Sequence, residues 1–86
     1  MYNLIYLIGK IENDLEIKDN KCEMILKVVD EDMNIPVTLE GTLANNAVEY
    51  CQKDGMIGIK GKLVYTTKIE IKVEKLTCIS KKDLEA

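Results

Sequence analysis

The chain has 86 residues, 47% of them hydrophobic and 31% charged, enough for one small core and no second domain. It has no histidine, tryptophan or phenylalanine and one serine, Ser80, so neither a Ser-His-Asp nor a Cys-His catalytic arrangement can be assembled from it. Twelve lysines against 15 carboxylates give a net charge of −3, which excludes a strongly basic nucleic-acid-coating protein and leaves room for a locally basic face.

Tyr2 to Ile11 reads as a first strand, rich in β-favouring residues and ending near Gly9. Glu12-Asn13-Asp14 is a turn, Leu15 to Lys18 a short extended segment, and Asp19-Asn20-Lys21 a second turn. From Cys22 the alternation is clear, with Cys22, Met24, Leu26 and Val28 on one face and Glu23, Ile25, Lys27 and Val29 on the other. Asp30-Glu31-Asp32 is a tight acidic connection, read as a solvated turn that discourages edge pairing rather than as a cation site. Ile35, Val37 and Leu39 then alternate with polar neighbours, completing a hairpin.

Gly41 breaks that pattern, and Thr42 is a fitting helix N-cap. Leu43, Ala44, Ala47, Val48 and Cys51 form one apolar stripe at helical spacing, with Gly55 as the C-terminal stop. Ile57, Ile59 and Leu63 follow as an inward strand face opposite Gly58, Lys60 and Lys62, the glycines marking a bulge or a barrel corner. Val64 to Lys68 is a turn. Ile69, Ile71 and Val73 alternate with charged residues, and Leu76 to Ile79 extends the apolar end.

The order β-β-β-α-β-β in so short a chain predicts an all-β OB-fold, a five-stranded Greek-key barrel with one helix between strands 3 and 4 that plugs an open end. Residues 1–80 form that domain, and 81–86 a short charged tail that frays.

Cys22, Cys51 and Cys78 lie too far apart for a zinc ribbon or a CxxC motif. They are read as buried small hydrophobes with free thiols. The apolar start is too short to span a bilayer and lacks a basic leader. The expectation is a cytoplasmic protein with no metal, no cofactor, no membrane partner and no catalytic residues.

The residues now support a resemblance. Asn3 to Ile11 followed by acids, Ile35-Pro-Val-Thr-Leu-Glu-Gly-Thr-Leu-Ala44, Val48-Glu-Tyr-Cys51, Gly55 and Ile57-Gly-Ile-Lys-Gly-Lys-Leu63 resemble the first strand, third strand, helix and fourth strand of bacterial single-stranded-DNA-binding proteins. Val73 to Ile79 is similar to the closing strand, more loosely, so the resemblance covers about residues 3–79. The departures are specific. The hairpin between strands 2 and 3 is cut to Asp30–Asn34 and that between strands 4 and 5 to Val64–Thr67. Asn34 and Glu40 stand where the family places aromatics, and the family's long tail with an acidic tip is missing. The chain is compact in the manner of primosomal replication protein B, a dimeric relative.

The resemblance implies single-stranded DNA binding without sequence choice, in support of replication, recombination or mobile-element maintenance, with RNA left open as the ligand. Such binding needs cations along the phosphates and flat side chains under the bases. The candidates are Lys10, Lys18, Lys27, Lys60, Lys62 and Lys68, with Tyr65 as the stacking ring and Tyr6 as a second; Lys72 also points outward. Tyr50 is read as a core residue. On strand 1, Ile5 and Leu7 face the core, so the outward apolar Leu4, Tyr6 and Ile8 mark a homodimer or homotetramer interface. The alternative is an OB-fold protein-interaction or oligomerisation module that has lost most of its nucleic-acid affinity; a neutral or negative face across the 1–2, 2–3 and 4–5 loops would favour it.

Overall fold

A computed structural model describes residues 3–29 and 32–79. The expected turn residues Asp30 and Glu31, the ring of Tyr2 and the tail 81–86 lie outside the described residues. The elements are β1 (Ile5–Ile11), β2 (Lys21–Val28), β3 (Asn34–Glu40), α1 (Thr42–Tyr50), β4 (Met56–Tyr65) and β5 (Ile69–Ile79). The strands close into a barrel in the order β1-β2-β3-β5-β4, all neighbours antiparallel except β3 and β5, which run parallel at Thr38 and Lys72. This is the expected five-stranded OB barrel.

Alternation explains the interior. Ile11, Cys22, Met24, Leu26, Val37, Leu39, Ile57, Ile59 and Val73 are buried inside the strands, and Ala44 and Ala47 bring the helix down onto them. α1 packs on β2, β3 and β5. Burying apolar surface at about 25 cal/mol per Å² is what closes the barrel, and no buried polar side chain opposes it among the described residues.

Several local readings change. The segment Leu15–Lys18 joins no strand of the barrel; Lys18 makes an isolated bridge to Lys21 across the expected turn at Asp19 and Asn20, both at positive φ. Thr42 is the first helical residue, not the cap. Gly41 caps at φ 58°, a left-handed conformation that suits glycine, with no side-chain cap bond. Cys51, in extended conformation, ends the helix four residues before Gly55. The turn of strands 4 and 5 is shorter than expected, because β4 runs on to Tyr65.

The bulge expected near the glycines is real, and its extra residue is on β5. Lys60 pairs with Lys75 but Gly61 with Val73, so Glu74 is looped out. A Cβ on Gly61 would sit 2.5 Å from the Lys72 carbonyl oxygen, so only glycine lets the two backbones approach this closely. The bulge also resets the alternation of β5: Val73 and Leu76 both turn toward the core, and Lys72 and Lys75 both turn outward.

Two asparagine side chains extend the sheet where the backbone ladder stops. Asn13 accepts from the Ile25 amide at 2.8 Å and donates to the Glu23 carbonyl at 2.9 Å, holding the loop between β1 and β2 against β2. Asn3 accepts from the Leu63 amide at 2.9 Å and donates to its carbonyl at 2.7 Å, tying the chain start to β4.

Candidate nucleic-acid interface

The register brings lysines together in opposed pairs. Lys10 lies opposite Lys27 across β1 and β2, Lys62 opposite Lys72, and Lys60 opposite Lys75 across β4 and β5. Like charges directly opposite are destabilising, so each pair needs an answering charge. Lys10 is 4.0 Å from Asp54 and Lys27 4.0 Å from Asp32. Lys62 is 3.9 Å from Glu74, and Lys72 is 3.7 Å from Glu40, which Lys21 also reaches at 3.6 Å. Lys60 and Lys75 have no carboxylate partner among the described residues.

Tyr6 lies opposite Lys60 on the other side, in β1, and is 67% exposed. Tyr6, Lys60 and Lys75 therefore form a row across three adjacent strands, β1, β4 and β5, on the outer face of the barrel. They share a shallow cleft of about 350 Å³ with Ile8 and Thr77, and the missing side chain of Gly58 leaves its floor open. A ring beside two uncompensated ammonium groups is the combination that takes a base and its phosphates.

The opposite side of the barrel is different. A larger cleft of about 610 Å³ lies between the β1–β2 loop, β2–β3 and the start of β5, and a smaller one of about 260 Å³ continues it toward the β4–β5 hairpin. Together they are lined by the carboxylates of Asp14, Glu16, Asp19, Glu23, Glu40 and Glu70 against Lys18, Lys21 and Lys72. This is the face where an OB-fold ordinarily receives nucleic acid, and its excess of negative charge opposes a phosphate chain.

The sequence-selected residues thus divide. Lys60 and Lys62 stand on the outer face of β4, with Lys10 and Lys27 side by side on β1 and β2. Lys18 is held within the acidic cleft, and Lys68 lies in the hairpin turn, its carbonyl accepting from the Thr66 amide. Tyr65, 77% exposed, ends β4 opposite Ile69, at the tip of a hairpin that reaches beyond the barrel. Leu63 is exposed there too, not buried as the alternation implied, because no core lies under this end of the hairpin. Tyr50 is no core residue: it closes the helix at 70% exposure, and Val48 is also exposed, so only the Ala44–Ala47 side of the stripe is deeply buried. Lys75 is the residue that sequence reasoning missed. Strict alternation from Val73 turns it inward, and only the bulge at Glu74 turns it out.

Leu4, Tyr6 and Ile8 all point away from the core and are exposed. β1 pairs with β4 along Ile5–Lys10 but with β2 only along Gly9–Ile11, and beyond the Val29 amide's bond to the Ile8 carbonyl the first half of β1 has one edge without a neighbouring strand among the described residues. Of the cysteines, Cys22 is buried as expected and Cys51 half-buried. Cys78, at an inward-phased position opposite the buried Ile57, is exposed. Burial pushes the Cys22 thiol up from its ordinary range, and burial followed by the neighbouring Cys78 thiol pushes Cys51 up to about 12.

Among the described residues no group of three or more potential metal ligands converges, and no helix is long and apolar enough to cross a membrane. No family model matches the chain, and no curated protein matches it. Solved structures do. The SSB domain of a protein from Synechococcus sp. superposes with a TM-score of 0.74 at 16% identity, covering 90% of this chain and 96% of that one. The dimeric N-terminal domain of PriB from Thermoanaerobacter tencongensis gives 0.74 at 17% identity, over 92% and 98%. A mitochondrial single-stranded DNA binding protein from S. cerevisiae gives 0.79 at 10% identity, over 93% and 98%. At these identities the likeness is one of fold, and it is nearly complete in both directions: the chain shares the OB barrel of these three structures over 90% or more of each.

Proposed function

We propose that this chain binds single-stranded DNA without sequence choice, as a homodimer and without catalysis, along the outer face of β1, β4 and β5. The observation that carries the reading is the row of Tyr6, Lys60 and Lys75, a ring and two lysines that lack a carboxylate partner among the described residues, on a barrel shared with single-stranded DNA binding proteins. A base stacks on Tyr6 for about 1–3 kcal/mol, and the flanking phosphates meet Lys60 and Lys75, then Lys62. Tyr65 and Lys68 offer a further ring and cation at the hairpin tip, while Lys10, Lys18 and Lys27, which lie off that row, contribute less. Replication, recombination or mobile-element maintenance is the cellular setting such binding would serve.

The dimer would form through the open edge of β1, where a second copy can add its own β1 and cover Leu4. Stacking two copies face to face over the lysine row would instead set four unpaired lysines against one another, which favours the edge arrangement and leaves the row open. The PriB neighbour is dimeric.

A second reading rests on the acidic cleft beside β2 and β3: an OB-fold protein-interaction module for a basic partner. One titration separates the two. A fluorescent oligo-dT of about 30 nucleotides, long enough to cross more than one OB module, is followed by anisotropy at low and then at higher salt. Binding that weakens steeply with salt supports the DNA reading. No binding at any protein concentration overturns it in favour of the protein partner.

A further inference from the structure

We propose that Cys51 and Cys78 are a redox-modification site, closed to an intramolecular disulfide by a hydroperoxide. Their sulfur atoms lie 2.9 Å apart although the residues are 27 positions apart in sequence. A disulfide needs about 2.0 Å, so the sulfurs at 2.9 Å have less than an ångström to close. Cys51 ends α1 one helical turn after Ala47, on the face that packs against the barrel. Cys78 stands near the end of β5 opposite Ile57, with its sulfur also 4.0 Å from the Tyr50 carbonyl. The two sulfurs are thus held together from both sides by packed structure.

Exposure assigns the roles. Cys78 is open to solvent and Cys51 half-buried. The Cys78 thiolate attacks one peroxide oxygen. The O–O bond breaks, and the other oxygen leaves as hydroxide and takes up a proton to give water, leaving a sulfenic acid on Cys78. The Cys51 sulfur then attacks the Cys78 sulfur. The S–O bond breaks, and the departing hydroxide takes the Cys51 proton as a second water. Two thiols supply the two electrons that reduce one peroxide. Burial pushes the Cys51 thiol up and slows its own reaction with peroxide, so the open Cys78 is oxidised first and Cys51 reacts only with the sulfur held beside it. Cys22, fully buried in the barrel, stays a thiol throughout.

The bond would close residues 51–78 into a loop holding all of β4 and most of β5, and would tie the helical plug to the barrel. It raises the melting temperature by constraining the unfolded chain, by about 10 °C or more. The test treats the intact protein with hydrogen peroxide, then counts thiols in denaturant and maps the linked peptides by mass. The expected result is a fall from three free thiols to one, loss of two hydrogens from the monomer, a Cys51–Cys78 linked peptide and a higher melting temperature that dithiothreitol reverses. In Cys51→Ser the sulfenic acid on Cys78 should persist and react with dimedone, and in Cys78→Ser the melting temperature should ignore peroxide. Three thiols remaining, Cys78 joined to Cys78 of another molecule, or wild type stalled at the sulfenic acid would each overturn the proposal.

Discussion

The cleft beside β2–β3 and the outer face of β1–β4–β5 belong to one small barrel and carry opposite chemistry. The first gathers six carboxylates and three lysines; the second aligns Tyr6 with Lys60 and Lys75 and no carboxylate partner for either lysine among the described residues. A net charge of −3 hides this division. Where charge sits on a barrel decides what it can attract, and the usual OB-fold face is here the less suited to a phosphate chain.

The comparison can be broken or sharpened in order of effect. Leu26→Ala removes a side chain fully buried in the barrel and should cost about 2–5 kcal/mol in urea unfolding, abolishing both faces together. Gly61→Ala forces a methyl to within 2.5 Å of the Lys72 carbonyl oxygen. It should cost about 1–3 kcal/mol and, by disturbing the bulge that turns Lys75 outward, weaken oligo-dT binding more than it lowers the melting temperature. Tyr6→Ala should leave stability nearly unchanged and weaken binding by about 1–3 kcal/mol in an anisotropy titration, the share of one stacked base. Lys60→Gln with Lys75→Gln should flatten the slope of log affinity against log salt by about 1–2, and relief of the opposed charges should raise stability by a few tenths of a kcal/mol. Glu23→Gln with Glu70→Gln, in the acidic cleft, should change affinity least; a large gain would instead mean that DNA runs through that cleft.

The element order was legible because five alternating or β-rich segments and one helical stripe have different periods. The outward direction of Leu4, Tyr6 and Ile8 followed from the same alternation. What escaped was set by contacts between distant segments. The extra residue at Glu74 is defined by the pairing of β4 with β5, and nothing in the local pattern of β5 marks it. Lys75 was lost with it. Leu63 was misplaced because a hairpin end keeps its alternation after the core beneath it has ended, and Tyr50 because its core reading came from the resemblance of the helix, whose last residue here is exposed. The acidic cleft was equally hidden, since its carboxylates come from the β1–β2 loop, β2, β3 and β5.

The central claim is where nucleic acid lies on the barrel, and amide chemical-shift mapping with oligo-dT tests it most directly. The account predicts shifts centred on Tyr6, Gly58, Lys60, Lys75 and Thr77, with Glu23, Thr38 and Glu70 unmoved. Shifts centred on Glu23, Thr38 and Glu70 would contradict it.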